Sequence, residues 1–94
     1  LAVDVARRLV TLKGAEVKLS AKEFDLLQCL VKHAGKVLTH KFLLREVWGP
    51  AHGEDVQYLR VYIRTLRQKL EEDPARPRYL LTETGVGYRL QAPA

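Results

Sequence analysis

Between Gln57 and Leu70 the chain carries four cations, Arg60, Arg64, Arg67 and Lys69, and no acid. Such groups do no covalent chemistry unaided. They neutralise phosphates, and an arginine adds a planar fork of donors that matches the O6 and N7 edge of guanine. Along the same stretch Val56, Leu59, Ile63, Leu66 and Leu70 recur in steps of three and four, which makes one apolar stripe of a helix. The stripe anchors the helix to a core and leaves its other faces free. A basic helix of this width fits the major groove of a duplex.

At about 100° per residue, Gln57, Tyr58, Val61, Arg64, Thr65 and Gln68 fall opposite Ile63, while Arg60, Tyr62, Arg67 and Lys69 lie on the flanks. The outermost side chains can reach base edges and the flanks can reach phosphates. Arg64 is the candidate for guanine, Gln57 for adenine, and Val61 and Thr65 for a thymine methyl. Arg60, Arg67, Lys69 and Tyr62 are the phosphate candidates on this helix. Plainer uses exist: Arg67 is spaced to pair with Glu71 on a helix surface, worth about 0.3–0.5 kcal/mol, and Tyr62 can cover the core.

After this helix come a short apolar strand, Thr84-Gly85-Val86-Gly87, and Tyr88-Arg89-Leu90. Helix then hairpin is the order of a winged DNA reader. The two glycines suit a turn that needs positive φ. Thr82, Thr84, Gly85, Gly87 and Arg89 are the wing candidates, and Glu83 must point away from phosphate. Thr39, His40 and Lys41 open an earlier helix whose free amides can hold a phosphate, with Thr39 as a plain N-cap the more economical account. Trp48 is either core or a further phosphate contact.

The elements that position these residues are legible from local signals. Leu1 to Val5, Leu9 to Leu12 and Val17 to Leu19 read as an antiparallel meander. Ser20 and Glu23 form a capping box for a helix running to about Ala34, stopped by Gly35. Val37-Leu38 is a bridging strand. Thr39 caps a second helix that ends at Gly49-Pro50, and Asp55 caps the third. Asp73 to Pro77 turns the chain. The connection from Gly49 to Asp55 is longer than a simple helix-turn-helix needs, so it serves either a partner or nothing beyond linkage.

Ninety-four residues make one domain. The net charge is +5, and seven basic against three acidic residues between Lys36 and Lys69 place +4 of it there, which points to an anionic partner. No apolar run approaches a membrane span and no signal segment opens the chain. The first residue, Leu1, suggests a fragment of a longer protein. Cys29 is alone and sits in an apolar helix, so it reads as core, and no internal disulfide forms, which suits a reducing cytoplasm. His33, His40 and His52 show no ligand spacing, and no nucleophile–base set or phosphate loop is present. No metal, cofactor or enzymatic activity is expected. A protein-interaction module without DNA binding is the alternative, but its exposed helix face should be apolar rather than cationic.

The runs Leu19 to Leu27, Val37-Leu38-Thr39, Leu44 to Gly49, Val61 to Leu70 and Thr84 to Arg89 resemble the effector domain of OmpR/PhoB-type response regulators. Tyr58-Leu59-Arg60, Asp73 to Tyr79 and Thr82 to Gly85 look most like its branch controlling potassium uptake. The resemblance implies an α+β winged helix-turn-helix with a four-stranded N-terminal sheet, three helices and a C-terminal hairpin wing. It implies a separate receiver domain phosphorylated by a sensor histidine kinase, and a head-to-tail homodimer on direct repeats of double-stranded DNA. It also implies that Gly49, Pro50, His52, Gly53, Glu54 and Asp55 touch RNA polymerase. Family members often carry arginine where Thr84 and Thr65 stand here.

Overall fold

Two turns, at residues 5–8 and 13–14, divide the chain ahead of Ser20 into three short strands in a computed structural model, which describes residues 1–52 and 55–91. β1 (Ala2–Asp4), β2 (Leu9–Leu12) and β3 (Ala15–Val17) form an antiparallel sheet in that order. Val10 faces Val3 on one side and Val17 on the other. Val10 is buried in the core and the two others pack against it, which fixes the register. The expected four-stranded sheet is therefore three-stranded among the described residues, because only two turns precede the Ser20 cap.

Ser20 starts α1 (Ala21–Lys32) as its spacing predicts. Its hydroxyl accepts from the Glu23 amide at 3.2 Å, and Glu23 Oε1 accepts from the Ser20 amide at 2.7 Å. Phe24, Leu26, Leu27 and Leu30 turn into the core. The helix ends two residues before Ala34, and the Gly35 amide donates to the Leu90 carbonyl at 2.8 Å. β4 (Leu38–Thr39) leads into α2 (His40–Trp48), whose Phe42 amide is capped by Thr39 Oγ1 at 3.1 Å. Lys22 reaches from α1 to donate to the Val47 carbonyl at 2.8 Å, satisfying an open acceptor at the end of α2.

A 3-10 turn, Pro50–His52, precedes α3 (Val56–Leu70). Asp55 holds the N-cap position, but its carboxylate makes no cap hydrogen bond. Its ψ of 54° is far from the extended value that aims a capping side chain at the helix amides. Leu59, Ile63, Leu66 and Leu70 are buried as the stripe requires, with Val56 packed at its edge. They meet Leu26, Leu27 and Leu30 of α1 and Leu43 and Leu44 of α2 in one core.

The hairpin β5 (Leu80–Glu83) and β6 (Gly87–Leu90) does not stand alone. β6 lies between β5 and β4, with Thr39 opposite Gly87, so the start of α2 is stitched beside the wing. Gly85 has φ +76° and makes the turn. Gly87 serves another purpose: a Cβ there would lie 1.8 Å from the Leu38 carbonyl oxygen. The two glycines were both expected to serve the turn, but the second is needed for the close approach of β4. No helix among the described residues is long and apolar enough to cross a membrane.

Candidate nucleic-acid interface

With its apolar stripe buried, α3 presents Gln57, Tyr58, Val61, Arg64 and Gln68 to solvent, and Thr65 half-buried. Arg64 makes no hydrogen bond or ion pair with any described residue, so its donors are available. Arg60 is also exposed and makes only a long contact, 3.5 Å, with Gln57 Oε1 one turn back. Thr65 donates its hydroxyl to the Val61 carbonyl at 3.0 Å, which ties that donor up within the helix.

The other two cations of α3 have protein partners. Arg67 is half-buried and donates to the Leu80 carbonyl through Nε at 3.0 Å and Nη2 at 2.9 Å, and to Thr82 Oγ1 at 2.6 Å. Burial pushes its pKa below the usual arginine value, opposed by Tyr88 and Glu71. Lys69 donates to Glu23 at 2.7 Å. Burial pushes the Glu23 pKa up, but hydrogen bonds from Lys69 and Ser20 outweigh it and leave it below the ordinary glutamate value. The phosphate role expected of Arg67 and Lys69 thus competes with structural ties that sequence does not show.

Glu71 is a further case. The helix-surface pair with Arg67 is not formed. The carboxylate is buried and accepts instead from the amides of Arg78 at 2.8 Å, Tyr79 at 3.0 Å and Leu80 at 2.8 Å. Its only sequence signal was an acid ending a helix ahead of an extended segment.

Trp48, Tyr58 and Tyr62 pack mutually edge to face, with ring centroids 4.9–5.4 Å apart. Trp48 packs against the edge of the core, joins the end of α2 to the first turns of α3 and stays half-buried. A hydrogen bond with Tyr58, then burial, pushes the Tyr62 pKa above the tyrosine norm.

On the opposite flank a cleft of about 500 Å³ runs along α3 between Arg60, Arg64 and Gln68 on one side and Pro74 and Tyr88 on the other. A second hollow continues past Arg67 to Thr82, Glu83 and Arg89 of the wing. Arg89 is held by Glu83 at 2.9 Å, which neutralises the acid that would repel phosphate and occupies the arginine. Thr84 and Val86 are the exposed side chains of the tip, and Thr82 accepts from Arg67. Thr39 and Lys41, both exposed, open α2 beside β6. Gly49 ends α2 with φ +103° and Pro50 starts the turn after it. Gly53 and Glu54, expected in the polymerase-contact loop, lie outside the described residues, as does the His52 side chain.

The face so assembled is a free cationic helix surface flanked by aromatic rings on one side and a hairpin on the other. Residues 14–90 match the family described as transcriptional regulatory protein, C terminal. The chain is 55% identical over 87 residues to the KDP operon transcriptional regulatory protein KdpE of Escherichia coli, covering 93% of this chain and 39% of that protein. It is 49% identical over 90 residues to KdpE of Mycobacterium tuberculosis, covering 96% and 40%. The chain thus spans roughly two fifths of the length of these curated relatives. Its fold is similar to the DNA-binding domain of Klebsiella pneumoniae RstA in complex with the RstA box, with TM-score 0.85, 33% identity and coverage of 95% and 88%. It is also similar to DrrB, an OmpR/PhoB homologue of Thermotoga maritima, with TM-score 0.83, 38% identity and coverage of 96% and 41%.

Proposed function

The chain belongs to the OmpR/PhoB-type family of transcriptional regulatory protein C-terminal domains, and we propose that its α3 seats in the major groove of double-stranded DNA at a specific operator. The observation that carries this reading is the outward face of α3, where Arg60 and Arg64 stand exposed with no competing ion pair among the described residues. Arg64 reads guanine, Gln57 reads adenine, and Val61 and Thr65 contact thymine methyl groups. Arg60, Tyr62, Trp48, Thr39 and Lys41 hold phosphates on the two walls of the groove. Arg67 and Lys69 rank behind them, because each already has a protein partner. Thr84 and Gly85 bring the wing to the adjoining minor groove.

In the longer protein, this domain of residues 1–94 is the output of a cytoplasmic response regulator. A receiver domain, phosphorylated by a sensor histidine kinase, controls its pairing as a homodimer on direct repeats. The segment Gly49 to Asp55 meets RNA polymerase. The likeness to two KdpE proteins supports control of a potassium-transport operon. The domain itself catalyses nothing and does not enter a membrane. Selection of bound sequences from a random duplex pool tests the core of this reading and gives motif and repeat spacing together. Absence of binding to any duplex at modest ionic strength overturns it.

A further inference from the structure

The β5–β6 hairpin is held to the third helix at two polar points. Glu71, just past the helix, accepts from the Leu80 amide at 2.8 Å and so fixes where β5 begins. One turn earlier, Arg67 donates twice to the Leu80 carbonyl and once to Thr82 Oγ1, at 2.6 Å. Thr82 lies two residues along β5, roughly 6.6 Å further toward the tip. The guanidinium carbon is also 5.9 Å from the ring centroid of Tyr88, which is paired with Thr82 on β6. β4 ties the β6 edge of the hairpin to the start of α2; on the β5 edge, which faces α3, one point of attachment would let the strand swing and two points along it fix its direction. The apolar contacts of Leu80, Tyr88 and Leu90 hold the base of the hairpin to the core but are not directional. The guanidinium fork is planar and rigid, so three bonds to two acceptors set rotation as well as distance.

We propose that Arg67 is a positioning residue that sets the angle of the wing on α3, and thereby selects which flanking bases the wing meets. The proposal rests on the domain being a duplex reader. It differs from a phosphate role for the same arginine, which needs the charge but not the fork.

Arg67→Lys keeps the charge and loses the fork, and Arg67→Met loses both. Residual dipolar couplings of the free domain compare the direction of β5 and β6 with that of α3. In both variants the hairpin is expected to reorient while α3 keeps its alignment with α1. On random duplexes, both variants should keep the base preferences under α3 and lose those under the wing by about fivefold or more. The slope of log affinity against log salt should stay at its original value. Unchanged couplings and unchanged flank preference in Arg67→Lys overturn the proposal, since the fork is then dispensable. So does a slope smaller by about 0.9 in Arg67→Met with flank preference intact, the mark of one lost phosphate contact. Should Arg67→Met unfold, Arg67→Lys alone decides. Should the unaltered domain bind no duplex, the functional reading fails, and the couplings still decide whether Arg67 orients the hairpin.

Discussion

The Lys69 ammonium lies 2.7 Å from Glu23 Oε1 and closes the last turn of α3 onto the first turn of α1. The same oxygen accepts from the Ser20 amide, so one carboxylate starts one helix and holds another. Its pKa in the folded domain is below the ordinary value because the bonds from Lys69 and Ser20 outweigh burial. A depressed folded pKa means that the contribution is present above the unfolded value, about 4.3, and is lost as pH falls through the folded one. Urea unfolding from pH 7 to 3 should show this loss in the native sequence and a flatter acid limb in Glu23→Gln. Glu23→Ala should cost about 1.5–3 kcal/mol at neutral pH. An identical acid limb in both proteins would remove Glu23 from the account.

Glu71 carries a comparable load at the other end of α3. Replacing it with alanine leaves the amides of Arg78, Tyr79 and Leu80 without their acceptor. A buried donor left unpaired costs about 1–3 kcal/mol, and the part-buried Arg78 amide loses less than those of Tyr79 and Leu80. The expected loss for Glu71→Ala is therefore about 2–4 kcal/mol, with faster hydrogen exchange at Tyr79 and Leu80. A loss under about 0.5 kcal/mol, the level of an ordinary surface change, would mean the carboxylate is replaceable by solvent.

What the sequence made legible is local. The 3.6-residue period of Leu59, Ile63, Leu66 and Leu70 found α3, and Ser20 with Glu23 found the start of α1. The destinations of the α3 cations were not legible. Arg67 meets a carbonyl 13 residues away and Lys69 a carboxylate 46 residues away, and no local spacing encodes either. The outward face of α3 could be drawn on a wheel because it follows from where the stripe points. Which of its flanking cations stay free depends on the neighbours that the fold brings up. Asp55 shows the same limit: residue type suggested a cap, but the backbone angle at that position decides, and it is not extended.

Gly85 and Gly87 separate two physical uses of one residue type. Gly85→Ala places a side chain at φ +76° with nothing within 4 Å to obstruct it, so the cost is the backbone strain alone, about 1–2 kcal/mol. Gly87→Ala drives a Cβ to 1.8 Å from the Leu38 oxygen and 2.9 Å from the Thr39 Cα, both backbone atoms. β4 must part from β6, with loss of their pairing and of the Thr39 end of α2 beside the wing. The expected cost is larger, about 3 kcal/mol or more, and thermal unfolding should rank Gly87→Ala clearly below Gly85→Ala. The reverse order would show that β4 yields without penalty.

Arg64 and Arg60 stand one turn apart on the same helix and should fail differently. Arg64 is exposed at the edge of the outward face and lines the cleft it shares with Arg60; its proposed base-reading role puts its fork on base edges. Arg64→Ala should weaken cognate binding by about 1–3 kcal/mol and leave binding to random duplexes nearly unchanged. Arg60 lines the same cleft one turn earlier, and its proposed role is on a phosphate. Arg60→Ala should weaken both kinds of duplex alike and reduce the salt slope by about 0.9, the counterion released per phosphate contact. Titrations of the two variants on both duplexes at several salt concentrations separate the roles. Equal losses for Arg64→Ala on cognate and random DNA would take it out of base reading, and an unchanged slope for Arg60→Ala would take it off the phosphates.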